Sequence, residues 1–253
     1  IWSISGKPAE AWPEGGWISF PFNIENAQFK LGRLGGVIDP VKDIVKNSNL
    51  DYGFINTGVG VLDKNNQGFG VTSADVPGVS LDRPGLWKYS TDFVPQKGNV
   101  FFNLYNNQWS TNFTEWVEGS WTAKFYVWSI ENYTDGSSIV VPSEEIRNPL
   151  MVSYASGAAG KIVASTKGIS VSEKGVLVTF FGKNRDGEGD LVRLWEQNGK
   201  DTVCTVTLPQ GSNYKTAQFC DLRGEEKGEI LSISNNAIQL KFRANQPVSL
   251  ILK

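Results

Sequence analysis

An amide-rich string near the middle of the chain carries side chain types that commonly bind sugars. Between Tyr105 and Phe113 the sequence contains Asn106, Asn107, Trp109, Thr111 and Asn112. Planar amides pair with neighbouring hydroxyl groups, and an aromatic ring covers the apolar face of a pyranose. These residues are therefore candidate carbohydrate-binding residues. The alternative is that the Asn side chains satisfy backbone groups in a tight turn, with Trp109 in the core.

A second string, Arg193-Leu194-Trp195-Glu196, ends an apolar run. In a strand, Arg193 and Trp195 would share one face, and Leu194 and Glu196 would share the other. A guanidinium on such a face can hold a carboxylate or contact a neighbouring domain. Arg193 is therefore also a candidate carbohydrate-binding residue. The alternative is an ion pair that serves domain packing.

The sequence contains no histidine and only two cysteines. A Ser-His-Asp or Cys-His nucleophile is therefore excluded within this chain, as is a zinc site built from imidazole or from many thiolates. Catalysis would have to use carboxylates, Lys, Tyr or a bound cofactor. Among the carboxylates, Glu115 and Glu118 lie close together beside Trp116 and Trp121. A glycosidase pair needs a defined separation across a cleft, which spacing alone does not supply. We expect no catalytic residue, no metal site and no cofactor in this chain.

Acidic residues alternate in the Gly-rich string from Asn184 to Asp190. The string is superficially similar to a calcium loop, but it lacks the bidentate Glu at the required offset, and Arg185 opposes a cation. We expect a hairpin turn there.

The two cysteines, Cys204 and Cys220, flank turn residues 209–213. A symmetric hairpin around this turn would place them opposite each other. A disulfide bond and two free thiols both remain open.

Composition narrows the classes of partner. The 253 residues include 24 Lys and Arg against 26 Asp and Glu, a formal net charge of -2. Phosphate binding needs a basic surface, so nucleic acid is not expected as a partner. No apolar run approaches the roughly 20 residues needed to span a bilayer, so no membrane partner is expected either. Bacterial periplasmic, extracellular and cytoplasmic locations all remain open.

Short apolar runs separated by Gly, Asn, Asp and Pro predict an all-β fold. Strands are expected at 59–62, 99–104, 121–130, 175–181, 191–195, 203–208, 237–242 and 248–252. One short helix is expected from Ser143 to Asn148, with Ser143 as its N-cap. The stretch from Asp39 to Asn49 is expected to be irregular or to contain one helical turn.

The composition changes near residue 155. Eight of the nine Trp residues precede it, and the small residues from Ala155 to Gly160 are typical of a linker or a long crossover. We therefore predict two domains, residues 1–155 and 156–253, of which the second has the size of a regular β-sandwich.

Six strings together resemble the C-terminal β-rich region of the family 38 glycoside hydrolases, the α-mannosidase-like proteins. They lie at residues 16–23, 35–40, 81–85, 105–113, 176–182 and 191–196. The most specific are Asn-Asn-x-Trp-x-Thr-Asn, beginning at Asn106, and the Arg-Leu-Trp-Glu string, beginning at Arg193. The resemblance covers nearly the whole chain.

The resemblance implies a fold and a setting. Such proteins carry an N-terminal α/β catalytic domain with a zinc ion and an Asp nucleophile, followed by β-sandwiches, one of them similar to the galactose mutarotase supersandwich. The zinc ligands and the nucleophile match no position here, so zinc is expected only in a catalytic domain outside this chain. The expected fold is a mutarotase-like β-supersandwich, complete or lacking strands, packed on a smaller C-terminal β-sandwich.

The implied function is that of a non-catalytic C-terminal β-sandwich region of an α-mannosidase-like glycoside hydrolase. It would support the catalytic domain and line its carbohydrate site, with carbohydrate and that domain as partners. The chain begins with Ile1 rather than Met, which agrees with a fragment or a processed product. The alternatives are a free-standing carbohydrate-binding module and a structural or protein-interaction scaffold.

Overall fold

The computed structural model describes residues 1–85, 89–108, 114–154, 156, 160 and 166–253. Within these ranges the chain forms nineteen strands, a π-helical segment at Gly136–Val140 and one α-helix, α1, at Val141–Arg147. In chain order the strands are β1 Trp2–Lys7, β2 Gly15–Glu25, β3 Gln28–Arg33, β4 Gly36–Ile38, β5 Gly53–Phe54, β6 Gly58–Leu62, β7 Gly68–Ser73, β8 Gly78–Leu81, β9 Lys97–Asn106, β10 Gly119–Ala123, β11 Phe125–Ile130, β12 Ser170–Val171, β13 Val176–Lys183, β14 Asp190–Glu196, β15 Thr202–Thr207, β16 Thr216–Cys220, β17 Glu226–Ser232, β18 Ala237–Phe242 and β19 Pro247–Leu252. The predicted all-β sandwich fold is confirmed.

The chain divides into two compact units. The first contains residues 1–134 and 138–148, and the second contains residues 135–137 and 149–253. Part of the predicted linker, residues 155 and 157–159, lies outside the described residues, and the predicted boundary after residue 155 stays a prediction. No described helix has the length and apolar character that crossing a membrane would require.

The first unit is a sandwich of two antiparallel sheets, with strand orders β11-β7-β6-β3-β4 and β2-β9-β8-β5. Alternate residues of each strand point inward, so Phe29 and Val59 of the first sheet share a core with Val79 and Phe102 of the second. The Phe102 ring meets that of Phe20 edge to face, with 5.8 Å between the ring centroids. Strands β1 and β10 pair separately.

All of β6 is buried on both faces, because the helical segments cover the side that does not face the core. A Cβ atom at Gly60 would lie 2.8 Å from Ile139 Cδ1. Nearby, the Trp128 ring lies on Gly70, where a Cβ atom would fall 2.1 Å from the ring, and its Nε1 donates to the Ser138 carbonyl at 2.9 Å. Glycine at these positions lets the cover approach the sheet.

Two local predictions for the first unit are wrong. The expected strand at 121–130 is two strands, because β10 pairs with β1 whereas β11 pairs with β7. The chain turns at Lys124, whose backbone N–H donates to Asp75 Oδ2 at 2.8 Å. Ser143 is not an N-cap: the helix begins earlier, at Val141, and the buried Ser143 hydroxyl donates to the Ile139 carbonyl at 2.6 Å. The stretch from Asp39 to Asn49 is irregular, as one of the two expectations had it.

The second unit is a sandwich of sheets with orders β13-β14-β19-β16-β17 and β12-β15-β18. Its core combines Val192 and Leu250 of the larger sheet with Val206 and Leu240 of the smaller one. The hairpin expected at Asn184–Asp190 is confirmed, because β13 and β14 pair directly on either side of it.

The predicted hairpin between the two cysteines is wrong. Turn residues 209–213 lead from β15 in one sheet to β16 in the other, so Cys204 lies opposite Leu240 and Cys220 lies opposite Glu226. Asn236 holds the chain at this turn by donating from Nδ2 to the Leu208 carbonyl at 2.9 Å. Both thiols are free, with Cys204 in the core as expected for its face.

Candidate functional site

Asn107 ties three segments of backbone together. It follows β9 and is buried, and its Nδ2 donates to the carbonyls of Trp12 at 2.8 Å and Glu115 at 2.7 Å. Its Oδ1 accepts a hydrogen bond from the Glu14 backbone N–H. These bonds use both donors and the acceptor of the amide, and they match the structural alternative considered for this side chain.

The side chain of Asn106 uses only one of its two polar atoms in hydrogen bonds with the described residues. Its Oδ1 accepts a hydrogen bond from the Gln108 backbone N–H at 3.1 Å, but its Nδ2 is buried without a partner among the described residues. The Gln108 Oε1 atom is also buried and unpaired there. A donor and an acceptor of the kind that pair with a sugar hydroxyl thus occur within three residues of each other. Trp109, Thr111 and Asn112, the other candidates of this string, lie outside the described residues.

Arg193 belongs to the second unit, whereas Asn106 and Asn107 belong to the first. The predicted alternation holds, because Leu194 and Glu196 are buried and Arg193 is only half-buried. Its Nη2 donates to the Leu222 carbonyl at 2.6 Å, and its guanidinium lies 5.8 Å from the centroid of the Phe180 ring.

Glu196, at the end of the same string, has a structural role. Its carboxylate is fully buried and accepts four backbone hydrogen bonds. Their donors are Asn198 at 2.6 Å, Gly199 at 3.0 Å, Lys200 at 3.3 Å and Asn245 at 2.9 Å. The carboxylate therefore fixes two turns at one end of the second unit.

Glu115 and Glu118, the carboxylates considered for catalysis, are both exposed. Within the described ranges, no group of three or more Cys, Asp and Glu side chains is arranged to hold a metal ion.

A cleft of about 400 Å³ in the first unit was not predicted from the sequence. Its lining includes the rings of Tyr52 and Phe54, which meet edge to face with 6.1 Å between centroids, and the polar groups of Arg33, Asp43 and Asn49. Phe54 is 52% exposed, so about half of this residue is accessible to a ligand. Aromatic faces beside planar polar groups are suited to a sugar ring.

Asp39 fixes the loop that forms one wall of this cleft. Its Oδ1 accepts the Val41 backbone N–H at 3.0 Å, and its Oδ2 lies 3.5 Å from Lys30 Nζ and 3.3 Å from Lys42 Nζ. Burial opposes ionisation of Asp39, but the backbone hydrogen bond and the two ammonium groups outweigh it and lower the pKa of the carboxyl. The sequence signal that could have located the cleft is the irregular stretch from Asp39 to Asn49, with two aromatic residues, Tyr52 and Phe54, shortly after it.

The fold is similar to part of two solved structures from Enterococcus faecalis. One is described as a protein in glycosyl hydrolase family 38, with 11% identity and a TM-score of 0.65; the match covers 94% of this chain and 26% of that chain. The other is an alpha-mannosidase from strain V583, with 12% identity and a TM-score of 0.66, covering 94% of this chain and 25% of that chain.

This chain therefore spans about a quarter of the length of those solved chains. No family profile and no curated protein matches the sequence. The resemblance to family 38 glycoside hydrolases seen in the sequence strings is confirmed at the level of the fold.

Proposed function

We propose that this chain is a non-catalytic β-sandwich region of an α-mannosidase-like glycoside hydrolase, which supports the catalytic domain and contributes to its carbohydrate site. The observation that carries this proposal is the fold similarity over 94% of the chain to about a quarter of two larger proteins, one described as family 38 and one as an alpha-mannosidase. A mutarotase-like supersandwich in the first unit, with zinc confined to a separate catalytic domain, belongs to the same proposal.

Exposed apolar side chains support a role in a larger protein. Around the cleft of the first unit, Leu34 is 89% exposed and Val45 is 75% exposed. Leu150, Met151 and Val152 are almost fully exposed in succession. Leu34 and Val45 line the same cleft, and apolar surface gathered at one place is typical of a face that another domain covers.

The carbohydrate contact is proposed at two places in the first unit. The first is the cleft with Tyr52 and Phe54, and the second is the amide string at Asn106, where Asn107 holds the backbone in place. The remaining candidates of that string, Trp109, Thr111 and Asn112, and Arg193 in the second unit, are retained in the proposal.

Hydrolysis of an aryl α-mannoside by the isolated chain tests the non-catalytic part. We expect no turnover, because the family's zinc ligands and nucleophile match no position of the sequence. Turnover that is insensitive to chelators and disappears in Glu115→Gln or Glu118→Gln would contradict the proposal, since it would place a carboxylate pair within this chain.

A free-standing carbohydrate-binding module is the second candidate, and the cleft favours it because all of its lining lies in one unit. A glycan array with the isolated chain separates the two. Binding that is lost in Phe54→Ala and kept in Tyr126→Ala, a matched change of an exposed aromatic residue on β11, would favour the module. The absence of glycan binding on the array by a correctly folded chain would favour a region that needs the rest of the enzyme.

A further inference from the structure

A second cleft, of about 300 Å³, opens on the outer face of the five-stranded sheet of the second unit. Leu191 and Arg193 of β14 contribute to it, while Val192 and Leu194 point to the core. The β13–β14 turn supplies one side. Its Asn184 donates from Nδ2 to the Gly224 carbonyl at 3.4 Å, which joins this turn to the turn that follows β16.

The lining of this cleft is strongly cationic. Lys183, Arg185, Arg193 and Arg223 contribute to it, against the single carboxylate of Asp186. Because Lys183 forms an ion pair with Asp190, three guanidinium groups against one carboxylate set the sign of the charge in the cleft. A potential of this sign favours anions and disfavours the calcium ion considered for the same loop.

Two neighbouring carboxylates are already neutralised by lysines. Asp190 pairs with Lys183 at 2.8 Å, and Asp221 pairs with Lys227 at 2.6 Å. The Lys227 ammonium, with backbone N–H groups, lowers the pKa of Asp221 to about 2. Within the described part of the chain, these pairs leave the three cleft guanidiniums without a carboxylate in ion-pair contact.

Arg193 adds an unused donor. Its Nη2 is taken by the Leu222 carbonyl, but its Nε is buried and has no partner among the described residues. The Phe180 ring lies beside the guanidinium. A buried donor of a charged group without an acceptor is costly, and an oxyanion brought to this guanidinium would supply the acceptor.

We propose that this cleft binds an oxyanion, a carboxylate or a sulfate or phosphate group, held by Arg193 and the guanidiniums of Arg185 and Arg223. The inference does not depend on the proposed function, because it rests on the charge, the ion pairing and the unpaired donor of the second unit alone. Guanidinium groups suit this ligand class because their donors match the spacing of two oxygens of one anion. Two sources share this chemistry: a charged sugar, such as a uronate, and a simple acid group.

Titration of the whole chain, followed by the NMR signal of the Arg193 Nε–H group, tests the proposal. Sodium sulfate, sodium acetate and sodium D-glucuronate are the probes, with neutral D-glucose as the control, at an ionic strength held constant with sodium chloride. We expect all three anions to move the signal in a saturable way and D-glucose to leave it unchanged. Much tighter binding of glucuronate than of acetate would identify a charged sugar as the source, and equal binding would identify a simple acid group.

Variants separate a built site from general surface charge. Arg223→Gln and Arg185→Gln change exposed residues, and each is expected to weaken anion binding about 3- to 10-fold through the loss of one charged donor. Arg243→Gln makes the same charge change at an exposed residue outside the cleft lining and should leave the affinity unchanged. The proposal is overturned if no anion moves the signal, or if D-glucose moves it equally. It is also overturned if Arg243→Gln weakens binding as much as the cleft variants do.

Discussion

The buried carboxylate of Glu196 is expected to be among the most sensitive single groups in the second unit. One oxygen accepts the Asn198 N–H, and the other accepts the N–H groups of Gly199, Lys200 and Asn245. Glu196→Gln keeps the size of the side chain but replaces one oxygen by an amide NH₂ group. A donor then faces a backbone donor, and the remaining bonds lose their charge assistance.

The magnitude follows from the number of donors. Hydrogen bonds to a charged group contribute about 1.5–3 kcal/mol each, and a buried donor left without a partner costs about 1–3 kcal/mol. The best rotamer of the Gln side chain keeps its oxygen on the Gly199, Lys200 and Asn245 side and leaves only the Asn198 N–H opposed. We therefore expect Glu196→Gln to destabilise the turn by about 2–4 kcal/mol, a large part of a typical domain stability of about 5–15 kcal/mol.

Hydrogen–deuterium exchange is the appropriate assay, because unfolding of a chain with two units need not be two-state. A loss of 2–4 kcal/mol corresponds to about 30- to 1,000-fold faster exchange at residues 198–200, at about 1.4 kcal/mol per tenfold change. Glu229→Gln, on an exposed position of β17, is the matched control and should stay within about 0.5 kcal/mol. Equal exchange rates in the two variants would refute the reasoning.

Three further predictions concern packing, titration and thiol chemistry. Gly70→Ala should destabilise the first unit by about 1–3 kcal/mol, because its Cβ atom would displace the Trp128 ring. Gly168→Ala, at an open position, should leave the thermal midpoint unchanged, and equal thermal midpoints for the two variants would contradict this packing. Burial and the hydrogen bond to Asp190 raise the pKa of Tyr214 to about 12. The neutral phenol therefore adds stability below pH 10, the ordinary value, and this contribution is lost as the pH rises through about 12. The thermal midpoint of Tyr214→Phe should accordingly fall less steeply over this range, and parallel curves for the two proteins would contradict the assignment. Mass spectrometry without reduction should show no disulfide bond between Cys204 and Cys220. Alkylation of the folded chain should label Cys220 slowly, because burial raises the pKa of its thiol. The same treatment should leave Cys204, which lies in the core, unlabelled.

Nine of the nineteen described strands overlap ranges expected from the sequence, but their partners were not predictable. Alternating apolar residues such as Cys204, Val206 and Leu208 indicate a strand and its buried face, and the structure agrees. The same pattern does not state whether the next strand lies beside it or in the facing sheet. Residues 209–213 can close a hairpin or cross a sandwich, and only the packing of both core faces selects the crossing.

The roles of site residues depend on groups distant in sequence. The amides of Asn106 and Asn107 look alike in the sequence. Asn107 is held by the backbone of Trp12 and Glu14, more than 90 positions away, whereas the Nδ2 of Asn106 has no partner in the part of the chain that the structure describes. The cleft at Tyr52 and Phe54 was missed for the same reason, because part of its polar lining comes from Arg33, at the end of β3. Local spacing carries no information on such contacts.

Residues in three of the strings that resemble family 38 stabilise the backbone. Glu196 closes two turns, Asn107 joins three segments, and Asp39 organises a loop through a backbone N–H and two lysines. Side chains with such roles are tied to the fold, because only one arrangement of the chain places their partners around them. This explains why these strings indicate the fold of this chain well while saying little about its ligand. Ligand recognition has to come from side chains whose ring surface or hydrogen-bond donors are not already used within the fold, such as Phe54 in the first unit and Arg193 in the second. Substitutions at these two residues should change ligand binding more than stability.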